Sequence, residues 1–83
     1  MHYPLVISRR SDSSYRASSP DLPNCLSTGR SMYEAIEQAR ESIRAELEKF
    51  DRVGRDRPIP SAIDSLRERQ EYAKALTFIA VSL

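Results

Sequence analysis

The 83-residue sequence has one cysteine, one histidine, two glycines and no tryptophan. A single cysteine rules out an intramolecular disulfide, so stability must come from packing or from a partner. His2 and Cys25 alone fall short of the set of His and Cys ligands that zinc sites use. They are also the only Cys–His pair open to nucleophilic catalysis, and a small buried hydrophobe is the simpler role for Cys25. Two glycines are too few for a phosphate cradle, which needs several at defined spacing together with a lysine. No apolar run approaches the length of a membrane span. The N-terminus lacks the charged-then-apolar leader of a secreted protein, so a cytoplasmic, bacterial-type protein is expected. The formal net charge is only +1, which leaves no broad basic face for nucleic acid, and direct nucleic-acid binding is not expected. No cofactor or metal is expected, and the composition does not suggest an enzyme.

What is present suits one small soluble domain over residues 1–83. Charged residues make up 30% and hydrophobic ones 40%, too apolar for a disordered chain. The charge is uneven. Residues 1–30 hold Arg9, Arg10, Arg16 and Arg30 against Asp12 and Asp21, a local +2. Residues 31–50 hold five glutamates against Arg40, Arg44 and Lys49, a local −2. The second stretch is either a solvated helix face or an acidic face offered to a basic partner.

Leu5, Val6 and Ile7 are strand formers, and Pro4 suits the beginning of a strand. A polar turn, Ser11–Ser14, leads to Tyr15–Ser18, where alternation predicts a second strand paired as a hairpin. Pro20 and Pro23 break any ladder, and Asp21 and Asn24 favour turns. Cys25–Thr28 can form a third strand before Gly29 lets the chain turn sharply.

The strongest pattern follows. Ser31 and Glu34 read as a capping box. Met32, Ile36, Ala39, Ile43, Leu47 and Phe50, with Ala35, form an apolar stripe at helical spacing, and Gly54 is the expected stop. Glu37, Arg40, Glu41, Arg44 and Glu48 mark the opposite face. Arg55–Ser61, with two prolines, reads as a linker. Ser61 is placed to cap a short helix reaching Arg69, and Thr77–Val81 reads as a last strand. The predicted class is α+β, β-β-β-α-α-β: a three-stranded antiparallel sheet, a long helix packed on it, a short second helix and a returning C-terminal strand.

The chemical alternatives are weak. Gly29 and Arg30 before a helix start could hold an anion, but Glu34 in the first turn opposes it. Asp12, Asp21 and Glu34 have no spacing that forces them together around metals, so turn and capping roles are simpler. The basic runs at Arg9–Arg10 and Arg52–Arg57 are broken by acids or isolated.

Tyr15, the run Pro20, Asp21, Leu22 and Pro23, the pair Thr28 and Gly29, the cap Ser31, and the helix-opening Glu34 and Ala35 recur here in an order that resembles the N-terminal domain of the HicB-like antitoxin family. The later Ile59–Pro60 segment resembles the family's stretch before its last strand. The resemblance runs from about Tyr3 to Leu83. It implies a reduced ribonuclease-H-like fold without the acidic metal cluster, and a protein that neutralises a HicA-like, mRNA-cleaving toxin by covering its catalytic histidine. Many members add a C-terminal DNA-binding domain. With nothing after Leu83, a stand-alone antitoxin domain without one is expected. Arg30 stands where the family often has an acidic or polar residue.

The expected partners are a HicA-like toxin and further copies of the chain, as a homo-oligomer of two or four. The small core and the apolar end, Phe78–Leu83, leave an edge for pairing. Asp12, Asp21, Glu37, Glu41 and Glu48 are the acids expected to meet a basic toxin, chiefly by steering its approach. The alternatives are an oligomeric scaffold or regulatory module with no toxin, and a remnant nuclease.

Overall fold

The computed structural model describes residues 2–83. The strands are β1 (His2–Arg9), β2 (Tyr15–Ser18), β3 (Leu26–Gly29) and β4 (Thr77–Ser82). The helices are α1 (Met32–Arg52) and α2 (Ile63–Arg67), followed by a 3-10 turn at Gln70–Tyr72.

All strands join one antiparallel sheet in the order β3-β2-β1-β4. The expected α+β arrangement holds, but the sheet has four strands, not three. β4 returns along β1 with His2 opposite Ser82 and Ile7 opposite Thr77. The physical reason is that β1 has two edges and β2 occupies only one, over Val6–Arg9. Pro4 lies outside the stretch paired with β2, so it has a strand on one side only, where it lies opposite Ala80.

Register sets the two faces, because directly paired residues point to the same side. Tyr3, Leu5, Ile7, Ala17 and Val81 face α1 and pack with Ala35, Ala39, Ile43 and Leu47. Leu22 and Cys25, from the loop before β3, close the same core. The alanines at 35 and 39 let the helix sit close to β2 and β3. On the opposite face lie Val6 and its partner Phe78, with Tyr72 meeting Phe78 edge-on at 6.3 Å between ring centres. Val6 is buried there, which explains why five consecutive residues of β1, Tyr3–Ile7, are all buried.

The ends of α1 follow from local chemistry. The Ser31 Oγ accepts from the Glu34 N–H at 3.1 Å. Only this half of the expected capping box forms, since the Glu34 carboxylate accepts from Gln38 one turn on. At the other end Gly54 adopts φ +71°. Its N–H donates to Asp51, and the Arg55 N–H to Phe50, which is the paired pattern that closes a helix through a left-handed glycine.

Two expectations are corrected. Gly29 has no positive φ. It is required because α1 passes so close that a Cβ there would lie 2.7 Å from the Ala35 nitrogen. Ser61 does not cap α2, which begins at Ile63 without a side-chain cap and ends at Arg67 rather than Arg69. The hydroxyl and N–H of Ser61 instead bind Asp21, and a carboxylate acceptor is the stronger partner for both donors.

Candidate functional site

Cys25 is buried in the core. Burial pushes its thiol up from the ordinary value, with the Glu46 carboxylate acting in the same direction. A raised thiol with no route to solvent is a poor nucleophile. His2 is exposed at the start of β1, opposite Ser82. Alkylation of Cys25 in the native protein at pH 8 is expected to run about 100-fold or more slower than in denaturant, the suppression set by an opening free energy near 3 kcal/mol. Comparable rates in both conditions, followed by mass spectrometry, would show the core to be open. Among the described residues, no three His, Cys, Asp or Glu side chains come together as a metal site. No helix among them is long and apolar enough to cross a membrane.

The five acids singled out in the sequence do not converge on one spot. Asp12 sits in the β1–β2 turn, where its Oδ1 accepts from the N–H and the hydroxyl of Ser14 at 3.0 and 2.6 Å. These bonds hold its carboxyl below the usual value. Asp21 reaches across 40 positions of sequence to accept from Ser61. Glu37, Glu41 and Glu48 share the outer side of α1. Glu37 pairs with Arg40 at 3.4 Å and Glu41 with Arg44 at 2.6 Å. Glu48 alone of the five has neither a hydrogen-bond nor an ionic partner among the described residues. It borders a concavity of about 260 Å³ that it shares with Arg44, Leu47, Arg57 and Leu83. Exposed ion pairs contribute about 0–1 kcal/mol each, so the paired acids can exchange partners, but Glu48 gives up nothing in doing so.

The opposite face of the sheet carries a wider concavity, about 320 Å³, edged by Ser8, Arg16, Ser18 and Lys74. Both cations are exposed, so it lacks the desolvation that tunes catalytic groups.

Several of the motif residues pack or bond within the domain. Tyr15 is half-buried beneath the Arg9 guanidinium, 5.3 Å from the ring centre. The Pro20–Pro23 turn tucks Leu22 into the core and is tied by a bond from the Leu22 N–H to the Ser19 hydroxyl. Gly29 and Ala35 form the close contact of β3 with α1, and Ser27 on the same strand donates to the Ala35 carbonyl at 2.6 Å. Thr28 points away from the helix and is exposed.

This arrangement of sheet, capped helix and proline turn can be compared with known proteins. The chain matches the family described as the HicB-like antitoxin of a bacterial toxin-antitoxin system over residues 3–83. The chain belongs to the HicB-like antitoxin family. A crystal structure of the N-terminal domain of the Burkholderia pseudomallei antitoxin HicB is similar over all of this chain and 98% of its own, with TM-score 0.90 and 30% identity. The structure of the Burkholderia pseudomallei antitoxin HicB is similar at TM-score 0.88 and 30% identity, again over all of this chain but only 63% of that one. An uncharacterised 14.9 kDa protein from the rep-hol intergenic region of Haemophilus phage HP1 is 32% identical over 72 residues, 87% of this chain and 53% of that protein. The chain therefore spans about half the length of this curated relative.

Sequence reasoning missed one feature of this HicB-like domain. Ile59 lies in a segment read as a linker and likened to the family's Ile–Pro stretch, yet Tyr3 binds the Pro58 carbonyl before it and Asp21 binds Ser61 after it, and the isoleucine itself is 87% exposed. The available signal was an aliphatic residue between two prolines, in a stretch with no packing period to account for it.

Proposed function

We propose that residues 1–83 act as a single antitoxin domain that binds a small HicA-like ribonuclease toxin and keeps RNA from its active site. The observation that carries this reading is the family match over residues 3–83, joined to the likeness over the full chain to a HicB N-terminal domain. The mechanism is steric. The domain needs no chemistry of its own, which agrees with a buried, raised Cys25 and acids held in turns and helix pairs. Asp12, Asp21, Glu37, Glu41 and Glu48 are proposed to draw in a basic toxin. Such exposed charges act mainly on association rate and fade with salt.

We place the complex in the bacterial cytoplasm and expect the domain to act as a homo-oligomer. β4 forms one margin of the sheet, and its Leu83 neighbour is exposed, so the outer edge of Phe78–Leu83 is where a second copy would pair.

The decisive experiment uses the neighbouring reading frame. Expressing its product alone should arrest growth, and co-expressing the full natural protein that contains this domain should restore it. The two products should also co-purify. Growth arrest with neither rescue nor co-purification would remove the antitoxin reading.

A further inference from the structure

α1 covers one face of the sheet, while α2 and the 3-10 turn cover only part of the other. The Arg67 guanidinium lies over the Phe78 ring, 5.9 Å from its centre, and Tyr72 meets the same ring edge-on. This cover reaches β4 and leaves the outward side of β2 open, where Arg16 is exposed. Its rim forms a wall, and the outward side of β1 and β2 forms a floor. On the floor Arg16 sits with Ser8 and Ser18 beside the buried Val6, and the wall brings Lys74, Tyr72 and Glu71. Register explains the floor: Ser8 lies opposite Arg16, and Val6 opposite Ser18, so all four point to one side. Lys74 is placed by the chain leading into β4, where the Leu76 N–H donates to the Ile7 carbonyl at 2.7 Å.

The donors of this concavity have nothing to bind within the domain. Neither Arg16 nor Lys74 has an ionic or side-chain hydrogen-bond partner among the described residues. The half-buried hydroxyls of Ser8 and Ser18 have none either, whereas those of Ser14, Ser27 and Ser61 all donate. The acid at the rim, Glu71, pairs with Arg69 at 3.7 Å. The arginines of α1 differ, since Arg40 and Arg44 each face a glutamate one turn away.

A guanidinium, an ammonium and two hydroxyls around one hollow suit a phosphate group. The guanidinium fork takes two oxygens side by side, the lysine adds a compact charge, and the hydroxyls serve the remaining oxygens. The volume, about 320 Å³, lies at the small end of the range for small-molecule sites, about 300–1,000 Å³. A nucleic-acid strand instead needs cations tracking its backbone, and only two line this concavity. Val6 and Tyr72 add an apolar side to it.

We propose that this concavity binds a phosphate monoester, with Arg16 and Lys74 on the phosphate oxygens, Ser8 and Ser18 donating to them, and the body of the ester against Val6 and Tyr72. The site binds and does no chemistry, in keeping with its exposed cations. It goes beyond the antitoxin reading, because it lies on the sheet face away from α1 and its occupant is a small molecule. Glu71 is a like charge at the rim and weakens the binding.

The test is a titration of the isotope-labelled full natural protein, followed by NMR, with adenosine monophosphate, inorganic phosphate and succinate at matched ionic strength. The amide signals of Ser8, Arg16, Ser18 and Lys74 should shift together with the monophosphate. Arg16→Ala and Lys74→Ala should each weaken binding about 10-fold, the size of one hydrogen bond to a charged group. Their melting temperatures should match wild type, because both side chains are exposed. Arg16→Lys keeps the charge but loses the fork, so it should recover only part of the affinity. Glu71→Gln should tighten binding about 2- to 3-fold at low salt, a gain that fades as salt is added. Inorganic phosphate should move the same signals. Equal affinity would mean that only the phosphate group is held, and weaker affinity that the body is held too; both uphold the site. The proposal is overturned if those signals stay still, if Arg16→Ala binds as tightly as wild type, or if succinate binds as tightly as the monophosphate. No toxin enters the titration, so its outcome is independent of the growth experiment.

Discussion

Replacing Ile43 with alanine is expected to destabilise the domain by about 3–4 kcal/mol, within the range for buried Ile→Ala changes. Ile43 is fully buried near the middle of α1 and belongs to the cluster formed with Leu5, Ile7 and Ala17 on the sheet. Its loss removes apolar burial and leaves a cavity that neighbours on two rigid elements cannot close. A chain of this size has a total stability of about 4–12 kcal/mol. One truncation therefore consumes a large share, and the variant should unfold at a much lower denaturant concentration. Chemical denaturation followed by circular dichroism reads the effect directly. A shift worth less than about 1 kcal/mol would mean that α1 does not rest on the sheet in the way described, since even Ile→Val changes reach that size.

The second large effect comes from adding a single carbon. Gly29→Ala is expected to cost about 2–3 kcal/mol, at the upper end for overpacking. The new Cβ would sit 2.7 Å from the Ala35 nitrogen and 3.0 Å from the Glu34 Cβ. The first of these is backbone, held by the N-terminal turn of α1, and cannot swing aside like the tip of a flexible side chain. Relief requires the start of α1 to lift from β3. That movement also stretches the 2.6 Å bond from Ser27 to the Ala35 carbonyl. Backbone freedom is not the issue at this position, because Gly29 does not use a positive φ. Gly54→Ala offers the contrast: nothing lies within 4 Å of a Cβ there, and its penalty comes from φ +71°. If Gly29→Ala proves as stable as wild type by thermal melting, the close approach of helix and strand is wrong.

These two sites also show what could be read from sequence. The apolar stripe of α1 and its stop at Gly54 were legible because they depend on residues within a few positions of one another. So was the β1–β2 hairpin, with its polar turn and alternating second strand. The position of β4 was not, because which edge of a sheet a strand joins depends on the partners left free by the rest of the chain. Asp21 shows the same limit. Its turn was evident from flanking prolines, but its bond to Ser61 spans 40 positions and leaves no local trace. That remote partner also took Ser61 from the helix start it was expected to cap. The acids of α1 were visible as an exposed face. The pairs Glu37–Arg40 and Glu41–Arg44, at i,i+3 spacing, are as local as the stripe and equally legible, and Glu48 makes no such pair among the described residues.

The pairing of β1 with β4 ties together the two ends of the described chain, since His2 lies opposite Ser82. Of the four strands, the first in sequence is therefore completed only by the last. Until residues 77–82 have emerged, β1 lacks a neighbour along His2–Leu5, and Tyr3 faces a half-built core. Pairings this remote must absorb the entropy of closing a long loop before they return any stabilisation, which slows folding and makes it cooperative. A chain cut short before β4 would leave His2–Leu5 without a neighbouring strand, so completion of the sheet waits on its last segment.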